Sequence, residues 1–111
     1  MNNKVKLNLI KLKIKAKSLA AEARIIRKEE RKLTGSRRDI IAEHRRTIVR
    51  DEARATQLAI ACIKGRPYTT VEPKCNNLWH RDNFIVPKVE AMCKRYAYMD
   101  RYTVGKWIKN D

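Results

Sequence analysis

At 111 residues the chain has room for one domain and a modest core. Its residues are 43% hydrophobic, which excludes a wholly disordered polymer. Its 27 Lys and Arg against 12 Asp and Glu leave a net charge of +15, well beyond what solubility asks of a small domain. A surplus of that size costs stability through self-repulsion. A polyanionic partner relieves the repulsion, and counterion release adds to the gain.

The surplus is uneven. The first 35 residues hold 11 basic and 3 acidic side chains. Lys4, Lys6, Lys11, Lys13, Lys15 and Lys17 all precede the first carboxylate, Glu22. No uninterrupted apolar run approaches the roughly 20 residues of a membrane span. The interleaved lysines also argue against a signal peptide. Cys62, Cys75 and Cys93 are odd in number and sparse, which points away from a disulfide scaffold and towards a reducing, cytoplasmic setting.

The spacing predicts a long helix over residues 3–33. Val5, Leu9, Leu12, Ala16, Leu19, Ala23, Ile26 and Leu33 follow a heptad rhythm, the seam of a helix laid against another helix. Ile10, Ile14, Ala21 and Ile25 widen that stripe on one side, which favours a small bundle over a bare coiled coil. Short alternating runs, Val5–Leu9 and Leu12–Ala16, resemble strands, but Ile10 shifts the phase between them and one sheet face cannot hold both.

Thr34, Gly35 and Ser36 read as a turn, with Ser36 and Asp39 as a capping pair. A second long helix is expected over residues 37–64, stopped by Gly65 and Pro67. Its seam is expected at Ile41, Ile48, Ala55 and Cys62, with Val49, Leu58 and Ala59 beside it. Two such helices on so short a turn imply an antiparallel αα-hairpin. Residues 66–111 change in texture. A capping box at Thr69–Glu72 suggests a short helix, residues 76–83 read as loop, and Pro87 suits the first turn of a further helix. Residues 103–108 read as a last helical turn or a docked tail. Trp79, Phe84, Tyr96, Tyr98, Tyr102 and Trp107 lie in this part and are expected to pack as core. The expected fold is therefore all-α, one domain over residues 1–111: a long antiparallel αα-hairpin with a short-helix, aromatic-rich C-terminal cap.

No nucleophile–base–acid pattern and no glycine-rich phosphate loop is present, so an enzyme is not expected. Cys75, His80 and Cys93, with Cys62 or His44, lack the short C-x-x-C spacing that nucleates structural zinc sites. Neither a metal nor a cofactor is expected. The basic residues say more. On the first helix Lys4, Lys11 and Lys15 share one flank, and Lys6, Lys13 and Lys17 another. Placed near a helix N-terminus they oppose the macrodipole, an arrangement that a bound anion would relieve. On the second helix Arg46, Arg50 and Arg54 are four apart and form a stripe, extended towards the turn by Arg45, Arg38 and Arg37. Guanidinium groups grip phosphates bidentately and stack on bases. The candidate nucleic-acid-binding set is Lys11, Lys13, Lys15, Lys17, Arg45, Arg46, Arg50 and Arg54. The mixed signs of Arg24, Arg27, Lys28, Arg31 and Lys32 with Glu22, Glu29 and Glu30 read instead as structural ion pairs.

The run from Arg50 to Ala59, followed by Gly65-Arg66-Pro67-Tyr68 and Glu72-Pro73, resembles a family of small basic helical proteins encoded by tailed bacteriophages. The stretch from Lys13 to Ala20 and on to Glu29-Glu30 is similar to the opening helix of that family. The resemblance covers roughly residues 10–75. That family has no settled function, so the resemblance implies a setting, the cytoplasm of an infected bacterium, and no active site.

The expected function is binding of nucleic acid, RNA or ribosomal RNA ahead of DNA, through the phosphate backbone with little sequence preference. The alternative is a small viral effector that binds and inhibits a host protein or defence complex through its helices. A third reading takes residues 3–17 as an interfacial membrane helix. Homodimerisation through the long helices is compatible with each.

Overall fold

The computed structural model describes residues 2–32, 40–68 and 77–109, with side-chain placement for all of these except 30–32 and 40–43. Among the described residues the protein is all-helical, with no strand. Helix α1 spans Asn3–Lys32 and α2 spans Ile40–Ile63. A single turn, Leu78–His80, runs through a π-helical segment, Arg81–Ile85, into α3, Val86–Ala97. Helix α4 spans Arg101–Lys109. Several expectations lie outside the described residues: Leu33, the turn and caps at 34–39, and the short helix at 69–72.

Helix α1 starts at Asn2, whose side-chain oxygen accepts from the Val5 N–H at 2.8 Å and so satisfies one of the donors a helix start leaves open. Its seam is the buried face: Leu9, Leu12, Ala16 and Ile26 are buried, and Val5, Leu19 and Ala23 half-buried. The expected widening of that stripe does not occur. Leu7, Ile10, Ile14 and Ile25 keep more than half of their surface, at 55%, 54%, 62% and 56%.

Helix α2 ends in a Schellman motif. The Gly65 N–H donates to the Cys62 carbonyl and the Arg66 N–H to the Ala61 carbonyl, both at 3.0 Å, with Gly65 in the left-handed region at φ 74°. Its buried residues include Val49, Ala55, Leu58, Ala59 and Cys62. Ile48, expected in the seam, is instead 49% exposed. The contacts of α3 on α2 explain this. Met92 meets Thr56, and the Cys93 thiol meets the Ala59 carbonyl, so α3 covers the C-terminal half of α2 while Ile48 lies two turns earlier.

The loop expected at 76–83 is helical from Leu78 onwards. Asn77 and Asn83 suggested a loop because short amide side chains compete with the helical backbone. Here the same chemistry supports the helix. The Asn77 oxygen accepts from the His80 N–H at 3.0 Å, and the Asn83 amide donates to the Trp79 carbonyl at 2.8 Å. The Val86 N–H then reaches back to the Arg81 carbonyl, the widened π register. A wide turn immediately before Pro87 gives room to a ring that lacks an N–H and would clash in a tight helix interior.

Helix α3 ends at Tyr98, left-handed at φ 57°, and Asp100 caps α4 by accepting from the Thr103 N–H at 2.7 Å. The Trp107 indole donates to the Arg66 carbonyl at 2.6 Å and meets the buried Tyr68 edge-on at 5.2 Å, which docks α4 against the end of α2. The core joins Leu9, Leu12 and Ala16 of α1 to Ala55, Leu58, Ala59 and Cys62 of α2, Val89, Met92 and Cys93 of α3, and Val104 and Ile108 of α4. Cys62 and Cys93 are free, buried thiols.

The aromatic residues depart from expectation. Trp79 is 67% exposed, Phe84 46%, Tyr98 58% and Tyr102 78%; Tyr96 and Trp107 are half-buried against the core. Alanine, valine, leucine, isoleucine, cysteine and Thr56 carry the fully buried positions, and Tyr68 is the buried ring among the described residues.

Leu12 has no exposed surface, so Leu12→Ala should lower the unfolding free energy by about 2–5 kcal/mol. Ile48→Ala should change it by less than about 1 kcal/mol, since its side chain remains half in water. Urea denaturation followed by helical circular dichroism measures both, and equal effects of the two substitutions would contradict the face of α2 described above.

Candidate anion-binding surface

Helix geometry separates the eight candidate cations. At about 100° per residue, Lys13 and Lys17 lie on one flank of the α1 seam and Lys11 and Lys15 on the other. Lys11, Lys13 and Lys17 are exposed. Lys15 is half-buried and bonds the Glu52 carboxylate at 2.9 Å. Lys88 of α3 takes the other Glu52 oxygen at 3.1 Å. Arg45 faces Glu22 at 3.9 Å. The Lys15 and Arg45 side of the molecule is therefore where opposite charges meet. Burial pushes the Glu52 carboxyl up, and the hydrogen bonds and charges of Lys15 and Lys88 outweigh it, holding it below the ordinary carboxylate range.

The other flank is different. Lys13 comes within hydrogen-bonding reach of Lys64, and this contact between like groups, with partial desolvation and the nearby charges of Lys13 and Arg66, pulls the Lys64 ammonium below the ordinary lysine range. The contact sets the Lys13 flank of α1 beside one particular face of α2. Arg50, Gln57 and Lys64 recur every seven residues and so share that face, with Arg46 one turn before Arg50. Arg50 and Gln57 are exposed, and Arg46 and Lys64 half-buried. Arg54, also exposed, stands about 40° further round the helix from Arg50. The two flanks together carry Lys6, Lys13, Lys17 and Arg24 from α1, and Arg46, Arg50, Gln57 and Lys64 from α2, while Glu43, seven residues before Arg50, is the carboxylate of α2 in the same register.

The structure thus brings together Lys13, Lys17, Arg46 and Arg50, with Arg54 at their edge. It sets Lys11, Lys15 and Arg45 apart. Two further cations join this face without having stood out in the sequence. The place of Lys64 near a helix C-terminus is explained by the dipole alone, yet its spacing of 14 from Arg50 puts both on one face, and Arg66 follows it across the Schellman turn.

Arg81 is held on a second, smaller feature. Its guanidinium donates to the Tyr68 hydroxyl at 3.3 Å and to Asp82 at 3.0 Å; burial works against its charge, and these two contacts outweigh that and raise its pKa. His80 uses Nε2 on the buried Asp51 at 3.0 Å and stacks on Phe84 at 5.0 Å, so the ring beside this pair is a phenyl group and not a nucleophile. No helix among the described residues is long and apolar enough to cross a membrane. No family model, curated protein or solved structure matches the chain.

The Glu52 bridge has a sign that can be measured. A carboxyl held below its ordinary value stabilises the fold above that value, about 4.5, and the contribution is lost as pH falls through the lower folded value. Glu52→Gln should therefore be less stable than the parent at neutral pH, and the difference should close on acidification. A difference that stays constant from neutral to acid pH would show that the bridge contributes nothing through its charge.

Proposed function

We propose that this protein binds nucleic acid, with RNA or ribosomal RNA favoured over DNA, as a binding protein and not a catalyst. The observation that carries the reading is the cation-rich face on which Lys13, Lys17, Arg46, Arg50 and Lys64 gather, with Arg54 and Arg66 at its margins. Like charges crowded closely enough to depress a lysine destabilise one another in the free protein, and a row of phosphates converts that repulsion into attraction. The face runs along two helices of 30 and 24 residues, a length suited to tracking a backbone.

The scaffold for this face is the antiparallel hairpin of α1 and α2, capped by α3 and α4. Lys15 meets Glu52 and, further along α1, Glu22 meets Arg45, further back along α2; that reversed order supports an antiparallel pair. Two long helices do not form the compact reading head that enters a DNA major groove. The exposed rings of Trp79 and Phe84 favour RNA, whose unpaired bases stack on aromatic faces. Backbone contacts by lysine and arginine imply little sequence preference. The resemblance to basic phage proteins would imply that the proposed activity acts in the cytoplasm of an infected bacterium.

Binding of a labelled RNA, followed by fluorescence anisotropy across a salt series, tests this. Arg50→Glu and Lys64→Glu should each weaken binding and make the log–log salt slope shallower, by about 0.7–0.9 for every phosphate no longer neutralised. Lys94→Glu, the same charge change on α3, should leave the slope unaltered. Equal effects from all three variants would mean attraction to net charge alone, and a protein that ignores both RNA and DNA would overturn the reading.

A further inference from the structure

Helix α1 has two apolar faces and the fold uses one. The buried seam runs through Leu9, Leu12, Ala16 and Ile26. On the opposite side of the same helix, about 180° away, Leu7, Ile10, Ile14, Ala21 and Ile25 fall within about 60° of one another. Their spacing of 3, 4, 7 and 4 residues is that of a helix–helix seam. Four of them keep 54–62% of their surface in water. This row of branched aliphatic side chains is about 27 Å long from Leu7 to Ile25, at 1.5 Å per residue. A contiguous exposed patch of this kind marks an interaction site.

The borders of the seam say what fits it. Lys6, Lys13, Lys17 and Arg24 line one side, and Lys4 and Lys11 the other; the carboxylates Glu22 and Glu29 on that second side come only towards the C-terminal half. Over its first 17 residues the seam is therefore apolar in the middle and cationic on both shoulders. A parallel second copy would set lysines against lysines at the positions where coiled coils place their salt bridges. An antiparallel copy would bring Lys4 and Lys11 towards Glu29 and Glu22 on one shoulder but would still face Lys6, Lys13, Lys17 and Arg24 with the same cations on the other. A lipid surface favours a wider apolar face with aromatic residues, whereas this one is narrow and wholly aliphatic. The lysines also oppose the dipole of the helix start, and carboxylates laid beside them would offset that.

We propose that the exposed seam Leu7–Ile10–Ile14–Ala21–Ile25 of α1 docks an acidic amphipathic helix of a partner protein, its apolar stripe on the aliphatic row and its Asp and Glu residues on the flanking lysines. The inference goes beyond nucleic-acid binding and does not depend on it. The seam shares its Lys6, Lys13, Lys17 and Arg24 border with the cationic face, and its aliphatic residues belong to neither that face nor the core.

The probe is a synthetic three-heptad peptide with leucine at the a and d positions and glutamate at e and g, compared with a peptide of the same composition shuffled to break the seam. Calorimetric titration into the full chain should give binding of the seam peptide and at least tenfold weaker binding of the shuffled one. The double variant Ile10→Asn/Ile14→Asn should lose at least tenfold in affinity for the seam peptide. Its helicity and RNA affinity should be unchanged, because both side chains already stand in water outside the cationic face. Equal binding of the two peptides, or an unaffected double variant, would overturn the proposal. So would a concentration-dependent dimer in sedimentation that the double variant abolishes, which would make a second copy the occupant. Binding to phosphatidylglycerol vesicles that the double variant abolishes would identify a lipid surface instead. Failure of any of these leaves the Arg50→Glu and Lys64→Glu results on RNA untouched, so the two readings stand or fall separately.

Discussion

The close approach of α1 to α2 is the contact on which the rest depends, and it is made under a severe constraint. With a net charge of +15, any two long helices of this chain repel each other unless the strip between them is free of charge and the charges at its borders are matched. The strip meets the first condition with Leu12, Ala16, Ala55 and Ala59, side chains small or flexible enough for close packing and fully or almost fully buried. Among the described residues, the second condition is met on the Lys15 and Arg45 border. There Glu52 serves both Lys15 and Lys88, and Glu22 faces Arg45. Because Lys88 belongs to α3, the same carboxylate that joins the long helices also draws the third against them.

That neutralisation organises the surface. Twelve carboxylates cannot offset 27 cations, and the described pairings of Glu22, Asp51 and Glu52 lie away from the Lys13–Lys64 border. Cations collect there, where two flanks converge and Lys13 crowds Lys64. Concentrating charge costs the free protein some stability, which a buried core this small can supply only in moderation. An anionic ligand of the kind proposed would, by binding the native state, offset that cost.

Much of this was legible in the chain. The heptad rhythm of Leu9, Leu12, Ala16 and Ile26 located the buried side of α1, and Gly65 with Pro67 located the end of α2, because helical periodicity and the left-handed turn are local properties of the backbone. What was not legible has a different cause. Ile10, Ile14 and Ile25 are as hydrophobic as the residues that are buried but stand about 180° round α1 from the seam, whereas whether Ile48 is covered depends on where α3 lies, which no local pattern records. The rings differ from expectation as well: Tyr68, beside the end of α2, is the one in the core, while Trp79, Phe84, Tyr98 and Tyr102 stay exposed. Residues 77–83 carry a loop signal because asparagine favours turns on average, whereas here two asparagines bond to the helical backbone. Among the cations, the stripe of Arg46, Arg50 and Arg54 was visible, but its partition from Lys15 and Arg45 followed from the position of two carboxylates on the opposite flank.

Lys13 and Lys17 border both proposed surfaces, and this couples them. An acidic helix seated on Leu7, Ile10 and Ile14 would place carboxylates against the lysines proposed to meet phosphate. Each ligand would then weaken the other by the same factor, as linkage requires. The two are nonetheless separable by their physics. Phosphate binding driven by counterion release weakens steeply with salt. An aliphatic seam keeps its apolar contribution as salt rises, and only its charged shoulders are screened. Rising ionic strength should therefore shift occupancy from the nucleic acid to the helix, and a chain with so large a charge surplus and so narrow an apolar stripe is well placed to respond to that difference.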